Sequence, residues 1–152
     1  LFDVSHEIGD QLLVLDLDIL IRRNIDHLIT DDDFAIIRGR AAPYNSSAYL
    51  LKGGAHREVW ESFDPETVEQ TLSKMTMPNG ARWVGSDQSW ISYCIKDAKV
   101  WDEADGVAHV KRANKDTALV YYSGSHKPWS LVVKARWPNK HREYMGYMEE
   151  RP

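Results

Sequence analysis

Two aspartates, Asp16 and Asp18, are one residue apart between two apolar runs, Leu12–Leu15 and Ile19–Ile21. In an extended strand, alternate residues point to the same face, so both carboxylates can reach one point in space. Two unpaired carboxylates there would repel each other and lose solvation unless a cation compensates them. Hard oxygen ligands suit Mg2+ or Mn2+, often together with substrate phosphates. The pair therefore predicts a divalent-metal site at the carboxyl end of a strand. The alternative is an ordinary strand-to-loop junction at the surface.

Two further stretches carry side chains that suit a polar substrate. Asn45 and Ser46 come immediately before a predicted strand, where they could hydrogen-bond sugar hydroxyls or simply form the turn that feeds the strand. Asp87 and Gln88 fall in the first turn of a predicted helix. The helix dipole favours a carboxylate at that position, so helix capping is one explanation. The other is a carboxylate and an amide presented to a substrate.

A fourth stretch, "YYSGSHKPWS", ends a predicted strand with a glycine turn, a cation and an aromatic ring. Gly124 lets the backbone approach a ligand closely. Lys127 supplies a point charge suited to a phosphate, and Trp129 could stack on a ring. The alternative is a tight turn followed by a core tryptophan.

The remaining sequence predicts how these stretches are positioned. The chain mixes predicted strands and predicted helices, which indicates an α/β class with a mostly parallel sheet, in one domain over residues 1–152. Three helices are expected, around Val59–Phe63, from Asp64-Pro65 onward, and after a Ser86 cap, and the basic segment Lys134–Arg142 is expected to be a solvated helix or loop. The predicted strands are Leu12–Leu15, Phe34–Ile37, Ser47–Leu51 and Thr117–Tyr122.

Composition excludes several other classes. The chain is 43% hydrophobic and 28% charged, as is ordinary for a globular protein, and its net charge of −4 argues against nucleic-acid binding driven by bulk charge. Cys94 is the single cysteine, so no internal disulfide forms. No apolar run approaches the ~18 residues of a membrane span, and no signal peptide is visible. These features predict a cytoplasmic protein without a transmembrane segment.

Taken in order, the stretches resemble the family-8 glycosyltransferases, which are retaining enzymes. "LFDVSHEIGDQLLVLDLDILIRRNIDHLI" is similar to that family's segment through its Asp-x-Asp strand. "YNSSAYLLKGG" is like its Asn-Ser-Gly strand, "SDQSWI" is like its Asp-Gln helix, and "YYSGSHKPW" is like its closing His-Phe-x-Gly-x-x-Lys-Pro-Trp element. The resemblance covers roughly residues 1–129. Four weak motifs in the correct order form a strong signal.

The resemblance implies a GT-A fold and transfer of a hexose from a nucleotide-sugar, UDP-linked by expectation, to a glycan, lipid-glycan or protein acceptor. The divalent metal would bridge the protein to the donor diphosphate and act as a Lewis acid. It also implies four pairs of site residues. They are Asp16 and Asp18 for Mn2+ or Mg2+, Gly124 and Lys127 for the leaving diphosphate, Asn45 and Ser46 for the donor, and Asp87 and Gln88 beside the anomeric carbon and the acceptor.

The chain departs from the family pattern in three places. Tyr121 stands where the family has a metal-binding histidine, with His126 nearby but out of register, and Ser47 replaces the glycine of the Asn-Ser-Gly element. The family's nucleotide-binding first half has almost no counterpart before Asp16. We therefore expect a truncated chain with uncovered apolar faces on the strands Leu12–Leu15 and Phe34–Ile37, and with a tendency to self-associate.

Two alternatives to a transferase remain at the level of sequence. One is a non-catalytic relative that binds a sugar or a nucleotide. The other is a haloacid dehalogenase-like phosphatase with Asp16 as phosphoryl acceptor. That class needs a late acidic pair for Mg2+, and the chain offers none.

Overall fold

The structure, a computed structural model, describes residues 10–40, 42–75 and 86–149. The chain divides into two compact units. The first unit comprises Leu1–Leu15 and Leu28–Trp101, and the second comprises Asp16–His27 and Asp102–Pro152. The start of the resemblance, residues 1–9, and Gly85 lie outside the described residues. Within the described ranges, no helix has both the length and the apolar character needed to cross a membrane. The single domain remains a prediction.

The first unit contains a four-stranded sheet in the order β1-β4-β3-β5. β4 runs antiparallel to both β1 and β3, and β3 and β5 run parallel. The connection between β3 and β4, residues 39–43, is too short for a parallel crossover, whereas the long connection from β3 to β5, which contains β4 and three helices, allows one. The expectation of a mostly parallel sheet therefore holds only in part. The bounds are β1 (Gln11–Leu15), β3 (Phe34–Arg38), β4 (Tyr44–Lys52) and β5 (Lys99–Trp101).

The core of the first unit lies between this sheet and three helices. The strand β3 is interior to the described sheet, and Phe34–Ile37 are all buried, because β4 and β5 pair with its two edges. The expectation of an uncovered face on Phe34–Ile37 is therefore wrong. Leu12–Leu15, at the edge of the described sheet, are half-buried. The helices are α1 (Glu58–Glu61), α2 (Val68–Ser73) and α3 (Asp87–Cys94).

The structure confirms the predicted start of α3 but not that of α2. Ser86 caps α3 as predicted, because its hydroxyl accepts a hydrogen bond from the Ser89 N–H at 3.3 Å. Asp64 does not begin a helix directly. Its carboxylate accepts hydrogen bonds from the Glu66 N–H and the Thr67 hydroxyl, which hold the pKa of this carboxyl below its usual value. This turn precedes α2, which begins at Val68.

The second unit contains a smaller sheet in the order β2-β7-β6, antiparallel between β2 and β7 and parallel between β6 and β7. Its strands have only two or three residues, and the predicted strand Thr117–Tyr122 is confirmed as Leu119–Tyr121. The basic segment is helical. The bounds are β2 (Leu20–Ile21), β6 (Val107–His109), β7 (Leu119–Tyr121), α4 (Leu131–Arg136) and α5 (Pro138–Glu149).

Candidate functional site

The two aspartates of the Asp-x-Asp motif lie in a turn. The strand β1 ends at Leu15, and the Ile19 N–H then donates to the Asp16 carbonyl at 3.1 Å. Asp16 is exposed and Leu17 is 99% exposed, whereas Asp18 is only 4% exposed. The prediction that both carboxylates share one face of an extended strand is wrong, because side chains do not alternate between two faces in a turn. The position directly after a strand is confirmed.

Asp18 has a countercharge from the far end of the chain. The Lys127 ammonium donates a hydrogen bond to its Oδ2, and the two residues are 109 positions apart in sequence. The Asp18 side chain is buried, whereas that of Lys127 is 37% exposed. Burial of a carboxylate is costly unless it is paired. The fold therefore compensates Asp18 with a lysine, and it joins the first and the last motif of the family resemblance.

Gly124 determines the backbone conformation of the turn immediately before Lys127. Gly124 has a φ of +53°, in the left-handed region, and opens a short 3-10 turn, Gly124–His126, that immediately precedes the lysine. A Cβ added at Gly124 would meet nothing within 4 Å. Backbone conformation rather than space therefore favours glycine here. Its backbone is open on the Cβ side.

A histidine that the sequence analysis did not single out lies beside Tyr121. His109 on β6 pairs in register with Tyr121 on β7, and their rings meet edge to face with centroids 5.3 Å apart. The Lys111 N–H lies 3.2 Å from His109 Nδ1, so that nitrogen accepts. The other, Nε2, therefore carries the proton and donates to the Ser123 hydroxyl at 3.1 Å. His109 is thus hydrogen-bonded to Ser123, the residue that precedes Gly124. Only the register of two short strands reveals this contact.

The carboxylates of Asp16 and Asp18 suit a divalent metal only in part. Within the described ranges, no group of three or more His, Cys, Asp or Glu side chains converges as a metal site. Asp16 and Asp18 nevertheless offer the hard oxygen ligands that Mg2+ and Mn2+ prefer, and Mg2+ commonly uses one or two carboxylates plus phosphate and water oxygens. By ligand type, the two aspartates suit a metal that takes its remaining ligands from a diphosphate and water. Lys127 already supplies a countercharge to Asp18, so the structure itself does not require a cation there.

The predicted donor-binding residues lie within β4 rather than before it. The pairing of β4 with β3 skips from Tyr49 to Asn45, so Ser46 has no partner in β3. The Asn45 side-chain oxygen accepts a hydrogen bond from the Ser47 N–H at 3.0 Å. Both Asn45 and Ser46 are half-buried. The polar cluster therefore forms an irregularity inside the strand, and not the turn that feeds it.

The predicted catalytic residues begin α3. Asp87 is exposed and Gln88 is half-buried. Asp87 also lines a cavity of about 530 Å3 within the first unit, bounded by α1, α2, α3 and β4. The site residues thus divide between the units. Asn45, Ser46, Asp87 and Gln88 belong to the first unit, and Asp16, Asp18, Gly124 and Lys127 belong to the second.

Comparison with solved structures identifies the class of fold. The galactosyltransferase LgtC, crystallised with donor and acceptor sugar analogues, superposes with a TM-score of 0.58 at 15% identity, over 95% of this chain and 63% of its own. The apo form of the glycosyltransferase GlyE of Streptococcus pneumoniae TIGR4 gives 0.55 at 15% identity, over 99% of this chain and 46% of its own. The chain thus spans about half to two thirds of the length of these two proteins.

The chain has the mixed α/β fold of these glycosyltransferases. No protein-family model matches it, and no curated protein matches it in sequence.

Proposed function

We propose that this chain is part of a metal-dependent, retaining glycosyltransferase of family 8 that transfers a hexose from a UDP-sugar to a glycan, lipid-glycan or protein acceptor. The observation that carries the proposal is the contact between Asp18 and Lys127. It joins the first and last of four ordered motifs, in a chain whose fold is that of glycosyltransferases. A buried carboxylate and a half-exposed ammonium in contact suit a diphosphate bound with a divalent cation.

In this proposal, Asp16 and Asp18 hold Mn2+ or Mg2+ together with the donor diphosphate. Lewis-acid neutralisation of the negative charge on the departing diphosphate is the chemistry that an ion held there would supply. Lys127 exchanges part of its contact with Asp18 for a diphosphate oxygen. Because a Cβ added at Gly124 would meet nothing within 4 Å, the diphosphate can also come close to the backbone there. The ion pair thus keeps Asp18 compensated before the donor arrives.

The polar residues of the first unit are assigned to the sugars. Asn45 and Ser46 bind the donor, through the amide and hydroxyl groups that the strand irregularity leaves half-buried. Asp87 and Gln88 lie beside the anomeric carbon and the acceptor hydroxyl. Gln88 has an amide that both donates and accepts hydrogen bonds, which suits a group that orients hydroxyls.

The test measures release of hexose from UDP-glucose and UDP-galactose with Mn2+ present. Asp18→Asn and Lys127→Met are each expected to lower kcat by about 100-fold or more, the size typical for removing one preorganised charge at a developing anion. The matched controls are Asp33→Asn and Lys52→Met. They break an exposed ion pair of 3.2 Å outside the proposed site and should leave kcat within about twofold of the original.

Two results would contradict the proposal. Equal turnover in Asp18→Asn and the original chain would show that Asp18 does not hold a metal needed for the reaction. Absence of turnover with every UDP-hexose, together with calorimetric binding of UDP that Asp18→Asn abolishes, would instead assign the chain to the non-catalytic relatives.

A further inference from the structure

We propose that the cavity beside Asp87 binds an apolar aglycone of the acceptor, so that the accepted substrate is an alkyl or aryl glycoside rather than a free sugar. This inference rests on the proposed function, because it names the acceptor class for the same site. The cavity lies wholly within the first unit and has a volume of about 530 Å3, within the range of small-molecule sites.

The lining of the cavity is mostly apolar. Eight of its eleven residues have apolar or aromatic side chains, and the polar three are Glu69, Ser86 and Asp87. A free sugar has a hydroxyl on almost every carbon, and most of these would face walls that offer no hydrogen bond, at a cost in free energy for each. An apolar group loses nothing there. The apolar residues are Tyr49, Val59, Trp60, Phe63, Val68, Leu72, Trp90 and Ile91.

An aromatic surface in the cavity wall is already fixed in place. The Trp90 ring is buried, and its Nε1–H donates to the Val59 carbonyl at 2.8 Å. Phe63 meets this ring edge to face, with centroids 5.6 Å apart and an interplanar angle of 78°. Phe63 and Trp60 nevertheless remain 44% and 57% exposed. Large aromatic side chains that stay open to solvent at the wall of an apolar cavity are typical of a binding site.

The polar residues of the lining indicate which end of the ligand is hydroxylated. Glu69 and Asp87 are both exposed carboxylates, and ionised carboxylates accept hydrogen bonds from hydroxyls. Ser86 is engaged in the cap of α3, where its hydroxyl contacts both the N–H and the hydroxyl of Ser89. Asp87 is also the residue that the proposed function places beside the acceptor. An acceptor with its apolar end in the cavity would therefore present its sugar hydroxyls at Asp87.

The experiment compares β-glucosides that differ only in the aglycone. Calorimetry would measure binding of methyl, octyl and phenyl β-glucoside, each below its micelle concentration, with octanol as the probe that lacks a sugar. Octyl or phenyl glucoside is expected to bind at least tenfold more tightly than methyl glucoside, and more tightly than octanol. The tighter of the two identifies an alkyl or an aryl aglycone.

Three variants locate the binding. Val68→Trp fills the cavity, and Phe63→Ala removes part of its aromatic wall. Both are expected to abolish the tenfold preference. Tyr93→Ala is the matched control, because Tyr93 also contacts the Trp90 ring, with centroids 5.2 Å apart, yet does not line the cavity. Should Val68→Trp fail to fold, Phe63→Ala still decides the question, since Phe63 is 44% exposed and its truncation leaves the core intact.

The possible outcomes separate this inference from the proposed function. Equal affinity for the methyl, octyl and phenyl glucosides, or a preference for the octyl or phenyl glucoside that survives both cavity variants, would overturn the inference while UDP-hexose turnover still stands. Octanol binding as tight as octyl glucoside would also overturn it, since a glycoside would then have no advantage. Cavity-dependent binding of octyl glucoside without any UDP-hexose turnover would refute the proposed function alone.

Discussion

Each of the two units has a buried apolar core, but the units differ in the length of their strands and in the partners of their loop carbonyl groups. In the first unit, a strand of nine residues and a strand of five pair side by side, and their apolar faces pack against three helices. In the second unit, each strand has at most three residues around a smaller apolar core. Three cationic side chains there, Arg22, Arg23 and Lys140, donate to backbone carbonyls. The Lys140 ammonium, for example, donates to the carbonyls of Val110 and Ala113, at 2.6 Å each.

This contrast predicts how the stability of each unit responds to mutation. A strand of three residues makes few ladder bonds, so the loops between such strands need other partners for their carbonyl groups. Lysine and arginine supply those partners in the second unit, and the predicted diphosphate-binding Lys127 belongs to the same unit. We therefore expect both units to respond to changes in side-chain volume, and the second unit to respond more strongly than the first to changes in charge.

The largest effect on stability is expected for a truncation in the core of the first unit. Ile36 is fully buried on β3, and Ile36→Ala should lower the free energy of unfolding by about 3–4 kcal/mol, through lost burial and an unfilled cavity. The matched control is Ile29→Ala, in the same unit, because Ile29 is 50% exposed and should lose well under half as much. Urea denaturation measures both. Equal losses would show that the first unit does not depend on tight packing.

A smaller loss is expected when a cation is removed from the second unit. Lys140→Met leaves the Val110 and Ala113 carbonyls without their donor and should cost about 2 kcal/mol, since hydrogen bonds from charged groups contribute about 1.5–3 kcal/mol. Lys134→Met, at an exposed position on α4, is the control and should change stability by less than about 0.5 kcal/mol. The charge-dependent description of the second unit fails if Lys140→Met unfolds at the same urea concentration as this control.

A gain in stability is expected at Tyr122, because its buried hydroxyl has no hydrogen-bond partner among the described residues. Tyr122→Phe removes this unsatisfied group and should stabilise the chain by up to about 1 kcal/mol at neutral pH. Burial, followed by the negative charge of Glu143, raises the pKa of the Tyr122 phenol well above its usual value of 10.0. The unfolded chain therefore releases this proton near pH 10 while the folded chain retains it.

The sign of this pH dependence follows from linkage. Because the pKa is raised in the folded state, stability is fully present below pH 10 and falls as the pH rises above that value. Thermal melts between pH 8 and 11 should show a steeper alkaline loss for the original chain than for Tyr122→Phe. Parallel curves for the two proteins would indicate that Tyr122 ionises equally easily in both states.

The smallest effect is expected for an exposed ion pair in the first unit. Arg57 and Glu61 are one helical turn apart with a nitrogen–oxygen distance of 2.8 Å, and both side chains are 55% exposed. Glu61→Gln should cost less than about 0.5 kcal/mol, because solvent and salt screen such pairs. A loss above 1 kcal/mol in urea denaturation would show that charge matters as much in the first unit as in the second.

The longer strands and the start of α3 are predictable from sequence because their signals are local. Apolar runs of strand length mark β1 and β3, and the Ser86 cap marks the start of α3. The sequence analysis misses β2, β5 and β6, because segments of two or three residues have no detectable periodicity. The irregularity at Asn45 was missed as well, since it depends on how β4 pairs with β3. Residue propensities and sequence patterns indicate which structure a segment forms, but not which strand it pairs with or in which register.

The sequence by itself determined which residues can carry the chemistry. It also determined their order, because residue types and spacings are local properties. Tertiary structure alone decided that Asp16 is exposed while Asp18 is buried against Lys127, and that His109 lies beside Tyr121. These outcomes depend on a turn after β1 and on the register of β6 against β7. Contacts across 109 residues are set by such long-range packing, to which no short stretch of sequence is sensitive.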